Sequence, residues 1–155
     1  MAETRLFGSG PLRAKITVPV REGPLRVHAE GRLGEMPITE FNKFVLPASG
    51  IEILSGDLHE ATFSFDVMGS VATGTFLGTW EKFNLRMVDR RTREQNFGNK
   101  LKSIVARMMV KDDHMPDKKG KLAPSPIHYQ VKPEDTFWGL MWRSVKSGMV
   151  KAVKG

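Results

Sequence analysis

Cysteine is missing from all 155 residues, which removes disulfides, thiolate nucleophiles and cysteine-bearing metal sites from consideration. A chain without thiols is indifferent to redox state, so the absence leaves the compartment open. Also missing is any run of about 18 consecutive apolar residues, the minimum for a spanning helix. The opening MAETRLFGSG has no apolar core of a secretory leader, and the reading at face value is a cytoplasmic chain or a piece of something larger. No internal repeat or low-complexity tract breaks the sequence. The glycines match neither a phosphate loop nor a dinucleotide fingerprint, and no serine stands in a nucleophile-elbow context. Carboxylate pairs such as Asp57 and Glu60 are too generic to assign acid–base roles. The expectation is a non-enzymatic protein with no cofactor.

What is present belongs to an ordinary folded domain: 40% hydrophobic and 26% charged residues, enough chain for one core. Residues 1–155 are therefore read as a single domain. The formal charge of +7 is unevenly placed. Residues 89–155 hold fifteen basic and seven acidic side chains, whereas 49–88 hold two basic and five acidic. A basic C-terminal third could meet nucleic acid or anionic lipid, though a solvated face is the simpler reading.

The organising stretch runs from Gly50 to Val88. Ala61, Phe63, Phe65 and Val67 alternate with Glu60, Thr62, Ser64 and Asp66, the period of a strand with one buried and one wet face. Met68-Gly69-Ser70 supplies a turn, and Ala72, Gly74, Phe76, Gly78 and Trp80 continue on a second strand. The apolar set then jumps one position to Phe83, Leu85 and Met87. A slip of one residue would turn every side chain to the other face, so a bulge at Glu81-Lys82 is expected, keeping Phe76 and Leu85 together.

An earlier hairpin is read from Leu12, Ala14, Ile16, Val18 and Val20 facing Leu25, Val27, Ala29, Gly31 and Leu33, with Pro19 on an edge strand. Ile38, Phe41, Phe44 and Val45 space as a short helix stopped by Pro47 and Gly50. Phe97, Leu101, Ile104, Val105 and Met108 share a helical face over 97–110. Residues 111–126 are polar and proline-interrupted, a long mobile loop. Ile127, Tyr129 and Val131 form a last strand. Asp135 is placed to cap a closing helix over 136–150, whose apolar face includes Phe137, Trp138, Leu140, Met141, Trp142, Val145 and Met149. Arg143, Lys146, Lys151 and Lys154 give it charge.

Asp112, Asp113, His114 and Asp117 are potential metal ligands, but they lack the spacing of a calcium loop, and no metal is expected. His28, His59 and His128 occupy polar strand positions, where a solvent-facing imidazole is the default. Phe63, Phe65 and Phe76 share their faces with Ala, Val and Gly rather than with basic residues. That fits a core or apolar groove better than a base-stacking platform, so nucleic acid is not the expected partner. Trp138 and Trp142 beside lysines resemble a membrane-interface helix; a helix packed across the sheet is the competing and preferred reading.

PITEFNKFVLPASGIEILSGDLHEATFSFDV, GTFLGTWEKFNLRMV and TFWGLMWRSVKSGMVKAVKG together resemble the AsmA-like bacterial envelope proteins, of the AsmA/TamB type. PITEFNKFVLPASGIEILSGDLHEATFSFDV is similar to a short helix with a central Asn and a Pro preceding a glycine-punctuated entry into a long strand. GTFLGTWEKFNLRMV resembles the strand that follows, with Trp80 where Tyr is common. TFWGLMWRSVKSGMVKAVKG looks like the aromatic-rich closing helix with its Ser-x-x-x-Gly step, here Ser144 and Gly148. The likeness covers roughly Gly31 to Gly155. It implies a mainly β fold (α+β): a curved, open antiparallel sheet of about five to seven strands with flanking helices, including an amphipathic C-terminal one. It further implies placement in the cell envelope or periplasm, as the C-terminal part of a larger protein, without the family's anchoring helix. The implied function is binding or transfer of phospholipid along an apolar groove lined by Phe63, Phe65, Val67, Phe76 and Leu85, with Gly74 and Gly78 leaving room. Phe137, Trp138, Met141, Trp142, Arg143 and Lys146 would form a lid or membrane-facing helix. The alternative is a structural or protein-interaction module whose groove is filled by its own helix.

Overall fold

A computed structural model describes residues 1–20, 22–87, 113–118 and 120–154. The helix expected over 97–110 lies outside them. The described strands are β1 (Ala2–Leu6), β2 (Gly10–Thr17), β3 (Arg26–Leu33), β4 (Met36–Pro37), β5 (Ile51–Met68), β6 (Val71–Met87) and β7 (Ser125–Gln130). A 3-10 turn (Ile38–Phe41) leads into α1 (Asn42–Ser49), and α2 (Phe137–Lys154) closes the described chain. All seven strands join one open antiparallel sheet in the order β1-β2-β3-β5-β6-β7, with β4 continuing beside β5 after β3 ends. The mainly β architecture expected from alternation is what forms.

The long hairpin β5–β6 turns on Gly69 and Ser70, with Met68 paired to Val71 and Gly69 at φ +62°. Phe65, Val67, Ala72, Phe76 and Trp80 are buried while Ser64, Asp66 and Thr75 are exposed, so the alternation sorts faces as the sequence implies. The bulge falls at Glu81-Lys82. Between the pairs Asp57–Glu81 and Ser55–Asn84, β6 advances one residue more than β5, and Lys82 has φ +54°. The orphaned backbone groups of Lys82 are satisfied from both sides. Its N–H donates to Asp113 Oδ1 (2.8 Å), and its carbonyl accepts from Ser55 Oγ (2.7 Å). Beyond the bulge Phe83 is buried and Leu85 packs half-buried on the core. Two compensating slips on β5, at Leu54 and His59, keep Ile53, Leu58 and Ala61 facing inward as well. Alternation does not announce these.

Several boundaries differ from expectation. β1 pairs along β2 and was not legible beforehand, because five residues carry too short an alternation. Pro19 sits beyond the end of β2 rather than in an edge strand. Pro47 is accommodated inside α1, and Gly50 in the left-handed region ends the helix, with its N–H on the Leu46 carbonyl (3.0 Å). The expected loop over 111–126 yields its last two residues to β7. In its described part it is tied at His114, which is paired to Trp80 through both backbone groups.

On the convex face, charged residues pair across strands. Arg32 contacts Glu60, and His28 Nδ1 meets Asp66 Oδ1 at 2.8 Å. That hydrogen bond, above all, raises the His28 pKa. His59 is not the free surface imidazole expected, since its Nε2 is enclosed without a hydrogen-bond partner, 3.7 Å from Glu81.

The facing assignment can be tested by substitution. Phe65→Asp places a carboxylate at a site 1% exposed and should cost about 3 kcal/mol or more, seen as a large fall in urea midpoint. Ser64 is exposed and lies opposite Glu30, so Ser64→Lys should stay within about 0.5 kcal/mol of the parent. Equal losses would reverse the assignment.

Candidate functional site: an apolar cleft beside the last helix

α2 lies on the inner face over β6 and β7, and small residues permit it. Ser144, Gly148 and Ala152 recur every four residues on one helical stripe and are buried. A Cβ at Gly148 would stand 2.6 Å from Phe76 Cβ and 2.7 Å from Ile127 Cγ1, so only glycine allows this approach. Ser144 donates its hydroxyl back to the Leu140 carbonyl (2.8 Å), which lets a polar side chain be buried without an orphan donor. Ser147 accepts the His128 N–H (3.1 Å), capping part of the otherwise open edge of β7.

The start of α2 is fixed by a polar cluster. Thr136, not Asp135, caps the helix, its Oγ1 accepting the Gly139 N–H (3.1 Å). Asp135 is turned back toward the sheet. Its carboxylate accepts from the Lys132 N–H (2.9 Å) and the Tyr129 hydroxyl (2.7 Å) and pairs with Arg143. The Lys132 N–H, then the Tyr129 hydroxyl and the Arg143 charge, hold the Asp135 carboxyl below the usual carboxylate range, against the opposing effect of burial.

Because α2 covers the β6–β7 side, the inner face nearer β1–β3 is left as a cleft with a cavity of about 330 Å³. Every described lining residue is apolar. One wall is Leu12, Ala14, Ile16, Ala29 and Leu33 from β2 and β3; the other is Trp138, Met141, Trp142, Val145, Met149 and Val153 from α2. Phe63, Phe65 and Phe76 form the floor. In a flat sheet β1 would lie about 19 Å from β6, four strand spacings away. Leu6 of β1 and Val153 of α2 nevertheless line the same space, so the sheet curls. One end is stopped by Ile38 and Phe41, with Phe7 edge-on to Phe41 (centroids 5.5 Å apart). Asn42 pins that end, its amide exchanging two hydrogen bonds with the Ile53 backbone (2.7 and 2.8 Å). The lining runs from Leu58 to Phe65 of β5, eight residues, or roughly 23 Å of strand.

Of the groove residues expected from sequence, Phe63, Phe65 and Phe76 do line the cleft. Val67 does not: it is sealed in the core one layer beyond, between Val27 and Ala72. Leu85 also lies outside, past the bulge. The room left by Gly78 is taken up by the Phe76 and Trp80 rings, and that left by Gly74 by Phe65, so neither glycine opens space for a ligand. Among the helix residues, Trp138, Met141 and Trp142 line the cleft. Phe137 stacks edge-on against Trp138 outside it, Arg143 is held by Asp135, and Lys146 is exposed. The wall from β2 and β3 was missed. Its alternation was legible, but which strands would face the last helix was not.

The remaining described candidates make contacts within the fold. His114 is buried, stacked on Trp80 (centroids 4.4 Å apart), with Nδ1–H donated to the Gly78 carbonyl (2.6 Å). Asp117 accepts the Lys121 N–H (2.8 Å), and Asp112 lies outside the described residues. Among the described residues no cluster of carboxylate and imidazole groups could hold a metal, and no helix is long and apolar enough to cross a membrane. Comparison with family models, curated proteins and solved structures returns no match to this chain.

The Asp135 cluster gives a pH dependence of definite sign. A lowered folded-state pKa contributes stability that is fully present above the ordinary carboxylate range and is lost as pH falls through the folded value. Asp135→Asn should therefore be least stable relative to the parent near neutrality, and the gap should close as pH falls. Urea midpoints of both proteins across the acid limb check this; a gap that widens toward low pH would contradict the assigned role.

Proposed function

We propose that this protein is a non-enzymatic module of the cell envelope, AsmA-like in kind, that shelters an acyl chain of phospholipid in the cleft between α2 and the N-terminal strands. The observation that carries the reading is the lining, which is long, continuous and wholly apolar. Its volume falls in the range of about 300–1,000 Å³ typical of small-molecule sites. Those sites place a few polar groups to orient a ligand, whereas this one offers none among the described residues, which suits a hydrocarbon chain. Its length exceeds one leaflet of bilayer hydrocarbon, about 15 Å. Each methylene moved from water into such a lining contributes about 0.8 kcal/mol. The mouth, where Trp138 and Trp142 line the cleft yet remain exposed, would leave a headgroup in water.

The reading of a purely structural module filled by its own helix finds support in the tight seat of α2 on Phe76 and Ile127. That seat occupies only one side of the inner face, and the cavity beside it favours a ligand.

Native mass spectrometry of the purified chain should show co-purified phospholipid, and a fluorescent fatty acid should bind with the blue shift of an apolar site. Ala14 is only half-buried and lines the cleft, so Ala14→Trp should fill it without unfolding the protein and weaken uptake roughly tenfold, the equivalent of about 1.4 kcal/mol. A parent protein that carries no lipid and takes up no fatty acid would overturn the proposal.

A further inference from the structure

One end of the sheet gathers exposed apolar side chains from three separate segments. The Gly69 N–H bonds the Leu25 carbonyl (2.8 Å), tying the β5–β6 turn to the β2–β3 loop. The Val131 N–H bonds the Ser70 carbonyl (2.8 Å), tying both to the segment that leads into α2. At this end Val18, Val20, Leu25 and Met68 are exposed, Val20 completely so. The first turns of α2 add Trp138 and Trp142, 71% and 50% exposed, which also line the cleft mouth with Ile16. Such a concentration of large apolar groups on loop tips is not what a solvated surface needs.

Charge indicates what covers it. By sequence, residues 18–26, 68–70 and 131–136 hold three basic and three acidic side chains, so these segments add no net charge. α2, by contrast, contains Arg143, Lys146, Lys151 and Lys154 and no acidic residue. Among the described residues no ion pair engages Lys146 or Lys151. Trp138, Trp142 and Lys146 follow at four-residue steps, one stripe of aromatic rings ending in a cation. Aliphatic tips for the hydrocarbon boundary, indoles at headgroup level and lysines further along the same helix match an anionic bilayer surface. We propose that this end of the sheet, with the Trp138–Trp142–Lys146 stripe, docks on an anionic membrane so that the cleft mouth opens directly onto acyl chains. The docking face rests on reading the cleft as an acyl-chain site, because it supplies the route by which a chain enters without crossing water.

Co-sedimentation of the full chain with vesicles tests the face, using phosphatidylcholine alone and in equal parts with phosphatidylglycerol. Binding should favour the anionic vesicles and fall with added salt. The double variant Val20→Asp, Met68→Asp alters only exposed side chains, so it should fold normally, take up fatty acid normally and bind vesicles roughly tenfold more weakly or worse, because carboxylates enter a bilayer at high cost. Lys146→Glu with Lys151→Glu should abolish the preference for phosphatidylglycerol. Fatty-acid uptake measured without vesicles reports on the cleft alone. Normal uptake with no vesicle binding by the parent, as expected of a face that meets a protein, overturns the docking proposal; so does a double variant that binds vesicles like the parent. Vesicle binding without uptake supports the docking face and overturns the cleft reading.

Discussion

Glycine at position 148 sets how near the last helix can come to Phe76 and Ile127, and the position of the cleft follows from that distance. A larger residue would lift α2 off the sheet or slide it toward β3, where the helix would fill the space that is now open. The seat combines shape with polar pinning. Ser144 buries its hydroxyl against its own helix, Ser147 takes a free edge N–H of β7, and Asp135 holds Arg143 and Tyr129 at the entry. With α2 fixed on one side of the inner face, the opposite side of a curled sheet has nothing in the described chain to meet.

The curl has local causes that cooperate with the helix. Extra residues on β6 at Lys82 and on β5 at Leu54 and His59 bend the hairpin without turning its apolar side chains outward. At Lys82 the irregularity is stabilised by hydrogen bonds from Ser55 and to Asp113, which explains an aspartate that pattern alone would assign to a solvated or metal-binding loop. Trp80, stacked on His114, seals the sheet next to the bulge. The Asp113 carboxylate and the His114 imidazole hold strand geometry here.

How much of this was legible depends on range. The facing of Phe63, Phe65 and Phe76 and the bulge at Glu81-Lys82 rest on alternation within a few residues, and the structure has them as the pattern implies. The cap of α2 was misassigned because Asp135 and Thr136 are both good capping residues, and the choice is made by Tyr129 and Lys132, which draw the aspartate away. Val67 and Phe65 read alike in sequence. Both are 1% exposed and flanked by small residues of the neighbouring strands, and only the tertiary arrangement makes Phe65, not Val67, part of the cleft lining.

Alone, the sequence determined which side chains face inward, where the long hairpin turns and bends, and that no thiol chemistry is available. These follow from strand period, steric demands at Gly69 and Lys82, and composition, none of which needs a distant partner. Tertiary structure alone decided that β1, β2 and β3 supply one wall of the cleft, that α2 supplies the other, and that Trp138 and Trp142 stand at its mouth rather than in a core. The physical reason is that an apolar stripe specifies burial but not its partner. That choice was made by the strand order, the curl of the sheet and the one helical face small enough to lie against it.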